Sequence, residues 1–93
     1  MKVYQIGETV TCKATVYRSS ALYDPATSVL IYIYVEGTTA ALVNGVAMVN
    51  ESVGVYTYDY QTSSCAAGKY RWRCKATDGV KIGIEDNAFK LET

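Results

Sequence analysis

Ninety-three residues with nine Lys plus Arg, nine Asp plus Glu and no His make one domain, residues 1–93, large enough for a single modest core without metal. The charge balance excludes a global field that would pull the molecule onto nucleic acid or an anionic membrane, so electrostatic function must come from local clustering. One Pro, seven Gly and nine Tyr, with abundant Val and Thr and no sustained i, i+3, i+4, i+7 apolar spacing, predict an all-β fold.

The amino terminus, Met1 to Gly7, has no apolar h-region, and the longest apolar run, Val29 to Val35, is too short to cross a bilayer. These features predict a soluble, unsecreted chain with no signal peptide, synthesised in the cytoplasm. Met1 to Ile6 is expected to supply a short edge strand. From Thr9 to Tyr17, Val10, Cys12, Ala14 and Val16 alternate with Thr11, Lys13, Thr15 and Tyr17, which predicts a strand with a small-residue core face. Arg18 to Thr27, with Ser19-Ser20 and Asp24-Pro25, reads as a long loop.

Ser28 to Glu36 is the most apolar strand, with Val29, Ile31, Ile33 and Val35 on one face and Leu30, Tyr32 and Tyr34 on the other. Both faces therefore need cover. Glu36 to Thr39 is a turn, and Ala40 to Asn50 reads as one or two short strands broken at Asn44-Gly45, a dipeptide suited to a type I′ hairpin. Val55 to Tyr60 is expected to turn Tyr56, Tyr58 and Tyr60 inward, because Asp59 on the other face resists burial. Gln61 to Gly68 is a loop carrying Cys65.

Gly68 to Ala76 alternates most strictly, with Tyr70, Trp72, Cys74 and Ala76 on one face and Lys69, Arg71, Arg73 and Lys75 on the other. The strand rise spaces those four cations about 6.7 Å apart. A turn at Asp78-Gly79 follows, and then a last strand or pair from Val80 to Leu91. There Val80, Ile82 and Ile84 alternate with Lys81, Gly83 and Glu85, and Phe89 and Leu91 close the core after an irregularity at Asp86-Asn87. The total is about seven or eight strands.

Gly7-Glu-Thr-Val-Thr, Tyr23-Asp-Pro with Ser28-Val-Leu-Ile-Tyr-Ile, Gly54-Val-Tyr-Thr-Tyr-Asp-Tyr, Gly68-Lys-Tyr-Arg-Trp and Ala76-Thr-Asp-Gly, in this order, resemble prokaryotic and bacteriophage immunoglobulin-like β-sandwich modules. The resemblance spans nearly the whole chain and implies a Greek-key sandwich of antiparallel strands. It sets Cys12 and Cys74 on the inward faces of strands B and F, as a disulfide or as a pair of reduced core thiols, and a chain without a signal peptide favours the reduced pair. Two features depart from antibody domains. No Trp lies on the presumed strand C, and Tyr70 precedes Cys74 by four residues rather than two.

Without His, neither a Ser-His-Asp nor a Cys-His arrangement can form. Nothing near Cys65 in the sequence would activate its thiol. The cysteines lack zinc spacing, and Glu85-Asp86-Asn87 with Asp78 or Asp24 is only a loose calcium pattern that turn formation also explains. The reading is of a non-catalytic protein with no cofactor and no metal.

The candidate partner-binding residues are Leu30, Tyr32, Tyr34, Lys69, Arg71, Arg73 and Lys75. In the implied topology strands C and F are neighbours, which sets Tyr32 and Tyr34 beside Arg71 and Arg73 for cation–π stacking. The cation row is either a docking surface for an acidic protein patch or a solvated strand face. The outward Leu30, Tyr32 and Tyr34 are covered either by a partner or by Arg and Lys stems. The resemblance implies a structural or interaction module of a phage virion or prokaryotic assembly that docks a protein or self-associates. A cell-surface, glycan-binding module is the alternative, and the charge balance disfavours nucleic acid.

Overall fold

Period-2 alternation governs the chain throughout, and the computed structural model, which describes residues 1–93, is all-β. The ten strands are β1 (Lys2–Gln5), β2 (Thr9–Thr15), β3 (Tyr17–Arg18), β4 (Ala21–Leu22), β5 (Ser28–Val35), β6 (Ala41–Ala47), β7 (Val49–Ser52), β8 (Val55–Gln61), β9 (Gly68–Asp78) and β10 (Lys81–Glu92). They form a five-stranded sheet in the order β1-β10-β9-β5-β6, a three-stranded sheet β2-β8-β7 and the small hairpin β3-β4. The pairing is antiparallel except between β1 and β10, which run parallel. The strands exceed the seven or eight expected because the segment read as the loop Arg18 to Thr27 contributes to a hairpin and residues 41–52 contribute two strands.

The inward faces of β2, β5 and β9 supply Val10, Cys12 and Ala14, then Val29, Ile31 and Ile33, then Tyr70, Trp72 and Cys74, all buried. Phe89 of β10 is the aromatic centre of this core. Its ring stacks on Tyr70 at 5.3 Å and 4°, takes the edge of Tyr4 at 6.2 Å and meets Tyr60 at 6.5 Å. Contacts of this kind add roughly 0.5–1.5 kcal/mol each beyond area burial. They tie β1, β8 and β9 to one side chain. Tyr56 is buried, and Tyr58 and Tyr60 are partly buried against the core, so the tyrosine face of β8 does point inward.

Asn44-Gly45 does not make a hairpin. β6 runs through it along β5, and the register slips there because Ile31 opposes Val46 while Tyr32 opposes Asn44. Gly45 is the extra residue of a β-bulge, with φ +69°, and the Tyr32 ring lies where its Cβ would be, at 3.3 Å. The chain then crosses between sheets at buried Met48, whose N–H donates to the Val29 carbonyl at 3.0 Å. A turn at Asn44-Gly45 would have folded β6 back on itself and prevented this crossing. The hairpin that closes β7 on β8 lies at Val53-Gly54, between paired Ser52 and Val55.

No irregularity interrupts β10 at Asp86-Asn87. Its pairing with β9 is continuous from Lys81↔Asp78 to Leu91↔Gly68. With Phe89 and Leu91 inward, an unbroken strand must turn Ile82, Ile84 and Asp86 to the outward face.

The segment before β5 is held at two points. Asp24 accepts hydrogen bonds from the Gly54 N–H at 2.7 Å, from Asn50 Nδ2 and from Tyr56 Oη. Asp78 accepts from the Ala26 N–H at 3.0 Å and from Tyr23 Oη, with Arg18 at 3.6 Å. These donors, the backbone N–H of Gly54 or Ala26 first, hold both carboxyls below the usual range. In the β3-β4 hairpin Ser19 and Ser20 both take positive φ, 52° and 66°, which is the I′ geometry that Asn and Gly normally supply.

All three cysteines are free thiols. Burial, with Asp59 nearby, pushes Cys12 up to about 12, and burial with Glu85 nearby pushes Cys74 up to about 11. Both therefore stay protonated at neutral pH as small core residues. Cys65 packs partly buried with its Sγ 3.3 Å from Tyr60 Oη.

Gly54 is the most crowded of the glycines. A Cβ there would meet Tyr23 N at 2.7 Å and Val16 O at 2.8 Å, and its φ is +70°. Gly54→Ala is therefore expected to destabilise by more than about 1 kcal/mol, read as a lower urea midpoint. Gly37→Ala, with φ +86° but open space around it, should cost less.

Candidate docking face

The outward side of the five-stranded sheet collects all seven candidate partner-binding residues. β5 and β9 pair so that Leu30 opposes Lys75, Tyr32 opposes Arg73 and Tyr34 opposes Arg71. β10 extends these rows with Ile84 beside Lys75, Asp86 beside Arg73 and Ala88 beside Arg71, and puts Lys90 beside Lys69. The three outward β5 side chains are half-buried, while Ile82 and Ile84 are 57% and 58% exposed. The face therefore runs from an aromatic side at β5, through cations on β9, to an apolar strip on β10.

Asp86 organises the middle of this face. Arg73 Nε donates to its Oδ1 at 2.8 Å and Arg73 Nη2 to its Oδ2 at 3.4 Å, while Arg71 Nη2 lies 3.5 Å from Oδ2. Two guanidinium groups thus share one carboxylate. The Arg73 hydrogen bond, with the charges of Arg73 and Arg71, holds the Asp86 carboxyl below its usual range.

The expected stacking of Arg71 and Arg73 on Tyr32 and Tyr34 does not occur. The cation–π contacts are Lys2 over Tyr4 and Arg18 over Tyr23, because Asp86 draws both guanidinium groups toward β10. Lys69 and Lys75 form no ion pair, and Lys90 pairs with Glu92 at 3.5 Å. The row of four cations is thus two clamped arginines between two free lysines.

Beside Tyr34, a depression of about 370 Å³ is lined by Gly37, Thr38, Thr39, Arg71, Arg73 and Asp86. Tyr34 and Trp72 are the aromatic members of its otherwise mostly polar lining. Asp24, Asp78 and Asp86, the carboxylates of the calcium pattern, are each engaged by N–H or O–H donors of the protein. Glu85 projects on the opposite face of β10 from Asp86.

Sequence reading missed Asp86 as the partner of the cation row because the supposed irregularity left its phase undefined. The signal was present: counting in twos back from Phe89 and Leu91 places Asp86 outward. Compared with family models, characterised proteins and solved structures, the chain matches none.

Because the Asp86 carboxyl lies below its unfolded value of about 3.9, its stabilisation is complete above that pH and lost as pH falls through the lowered folded value. Asp86→Ala should lower Tm by a few degrees at pH 7, since exposed pairs contribute little. The gap to wild type should close in acid, as followed by circular dichroism melts over a pH series. A gap independent of pH would show that the clamp is not electrostatic.

Proposed function

We propose that the protein is a non-catalytic, immunoglobulin-like module of a virion or another prokaryotic assembly, docking an acidic protein surface through the outward face of β5, β9 and β10. The observation that carries this reading is the clustering of half-buried Leu30, Tyr32 and Tyr34 with free Lys69 and Lys75 and exposed Ile84 on one sheet face. Interfaces favour aromatic and Arg anchors within a polar rim. The strand arrangement supports the immunoglobulin-like part: β5, β9 and β10 lie side by side as C, F and G do, and β2 lies beside β8 as B lies beside E.

The Asp86 clamp makes this face rigid rather than simply basic. It pre-positions two planar guanidinium groups at little ordering cost, and the two free lysines remain to steer an acidic partner. A second reading, binding of a surface glycan, is favoured by the depression that Tyr34 lines together with Thr38, Thr39 and Asp86. No helix is long and apolar enough to cross a membrane.

The test uses proteins encoded beside this one as candidate partners in biolayer interferometry. Tyr34→Ala with Lys75→Glu leaves the Asp86 clamp untouched and should weaken a specific complex by roughly tenfold or more, with added salt weakening it further. An unchanged complex would overturn the docking proposal. Quenching by oligosaccharides of tyrosine, or of Trp72, which is mostly buried but lines the depression, without any protein complex, would favour the glycan reading.

A further inference from the structure

β10 is twelve residues long, but β1 covers only its last part, with Lys2 opposite Phe89 and Gln5 opposite Glu92. From Lys81 to Ala88 its outer edge is unpaired. The direction of its main-chain groups follows from one contact: the Ile6 N–H donates to the Glu92 carbonyl at 2.9 Å, so the carbonyl of Glu92 faces the β1 side. Alternation then turns the N–H and C=O groups of Ile82, Ile84, Asp86 and Ala88 to the open edge, while those of Gly83, Glu85 and Asn87 face β9.

Natural proteins blunt such edges with charge, proline, bulges or cover. This one has no proline or bulge, and it exposes Ile82, Ile84 and, at the adjoining turn, Val80 at 97%. Of its three charged side chains, Asp86 is held on the outward face by Arg71 and Arg73, while Lys81 and Glu85, of opposite sign, lie on the other strand face and form no ion pair within the chain.

We propose that this edge pairs antiparallel with the same edge of a second copy about a twofold axis through Gly83. In that register Ile82 of each copy opposes Ile84 of the other, and both have main-chain groups turned toward the partner, so they exchange hydrogen bonds. Lys81 of each copy opposes Glu85 of the other. The register with Ile84 on the axis sets Glu85 against Gly83, and the one with Glu85 on the axis opposes two carboxylates, so only the Gly83 register satisfies both charges. The partner's Gly79-Val80 turn arrives beside Asp86 and Asn87, short of β1. Gly83 on the axis brings no side chain to the crossing point, which suits a close approach of the two backbones.

The product is a continuous ten-stranded sheet in which two docking faces lie side by side, with Ile82 and Ile84 of both copies forming the seam. The contact is small, below the roughly 1,200 Å² of standard stable complexes, so the dimer forms in a concentration-dependent way. It does not depend on the docking proposal, because it rests on the main-chain groups of the β10 edge, although the Ile84 side chain also lies on the docking face.

Sedimentation velocity over a concentration series into the millimolar range tests this. Wild type should shift from monomer to dimer. Ile84→Pro removes an N–H that faces the open edge rather than β9, a placement edge strands tolerate, and should leave a monomer with unchanged far-ultraviolet circular dichroism. Lys81→Glu and Glu85→Lys should each raise the dissociation constant roughly fivefold, since each places like charges opposite in two symmetric pairs. The double variant K81E/E85K should restore wild-type affinity, an outcome that misfolding cannot imitate and that does not depend on the proline variant. A monomer throughout, a dimer that survives I84P, or single charge variants without effect would overturn the proposal. A dimer lost in Tyr34→Ala with Lys75→Glu but kept in I84P would place the contact on the docking face instead.

Discussion

The unbroken pairing of β10 with β9 is the constraint on which the proposed docking surface depends. Phe89, stacked on Tyr70 and edged by Tyr4, fixes the phase of β10 inside the core. Once that phase is set, strict alternation carries it to the far end of the strand. A single slip would have moved Asp86 to the other face, released both arginines and turned Ile82 and Ile84 to the core-facing side of the sheet.

The register also explains why the cation row differs in character from its sequence. Four positive side chains on one strand suggest an electropositive stripe. Placed beside Asp86, two of them become a fork held by one carboxylate, and exposed pairs of this kind contribute more to geometry than to stability. In the proposed docking, the attraction for an acidic partner comes from Lys69 and Lys75. The apolar contribution comes from Leu30, Tyr32 and Tyr34 on one side and the β10 isoleucines on the other.

Much of this was legible in the sequence where one face of a strand is buried. The alternation in β2, β5 and β9 identified Val10, Cys12, Ile31, Ile33, Tyr70, Trp72 and Cys74 as core, and all are buried. The cross-strand neighbours Tyr32 with Arg73 and Tyr34 with Arg71 were also foreseeable. Legibility failed where a local signal competed with a tertiary demand. Asn44-Gly45 has the chemistry of a tight turn, yet the chain must run on to Met48 to change sheets, so the glycine serves a bulge under Tyr32. Ser19 and Ser20 carry no marked turn preference, yet they are held at positive φ in a hairpin beside a segment that Asp24 and Asp78 fix from a distance. Along the first half of β10, apolar residues at alternate positions looked like a core face. They are exposed because the inward phase belongs to Phe89 and Leu91.

The central claim is that β10 keeps one phase from Lys81 to Glu92 and presents its even-numbered main-chain groups at an open edge. Residue-resolved amide hydrogen exchange in dilute solution, where the chain is monomeric, measures this directly. The account predicts protected amides at Gly83, Glu85 and Asn87 and fast exchange at Ile82, Ile84 and Asp86. Protection that changed phase at Asp86-Asn87, or that covered the even-numbered amides of the monomer, would contradict it.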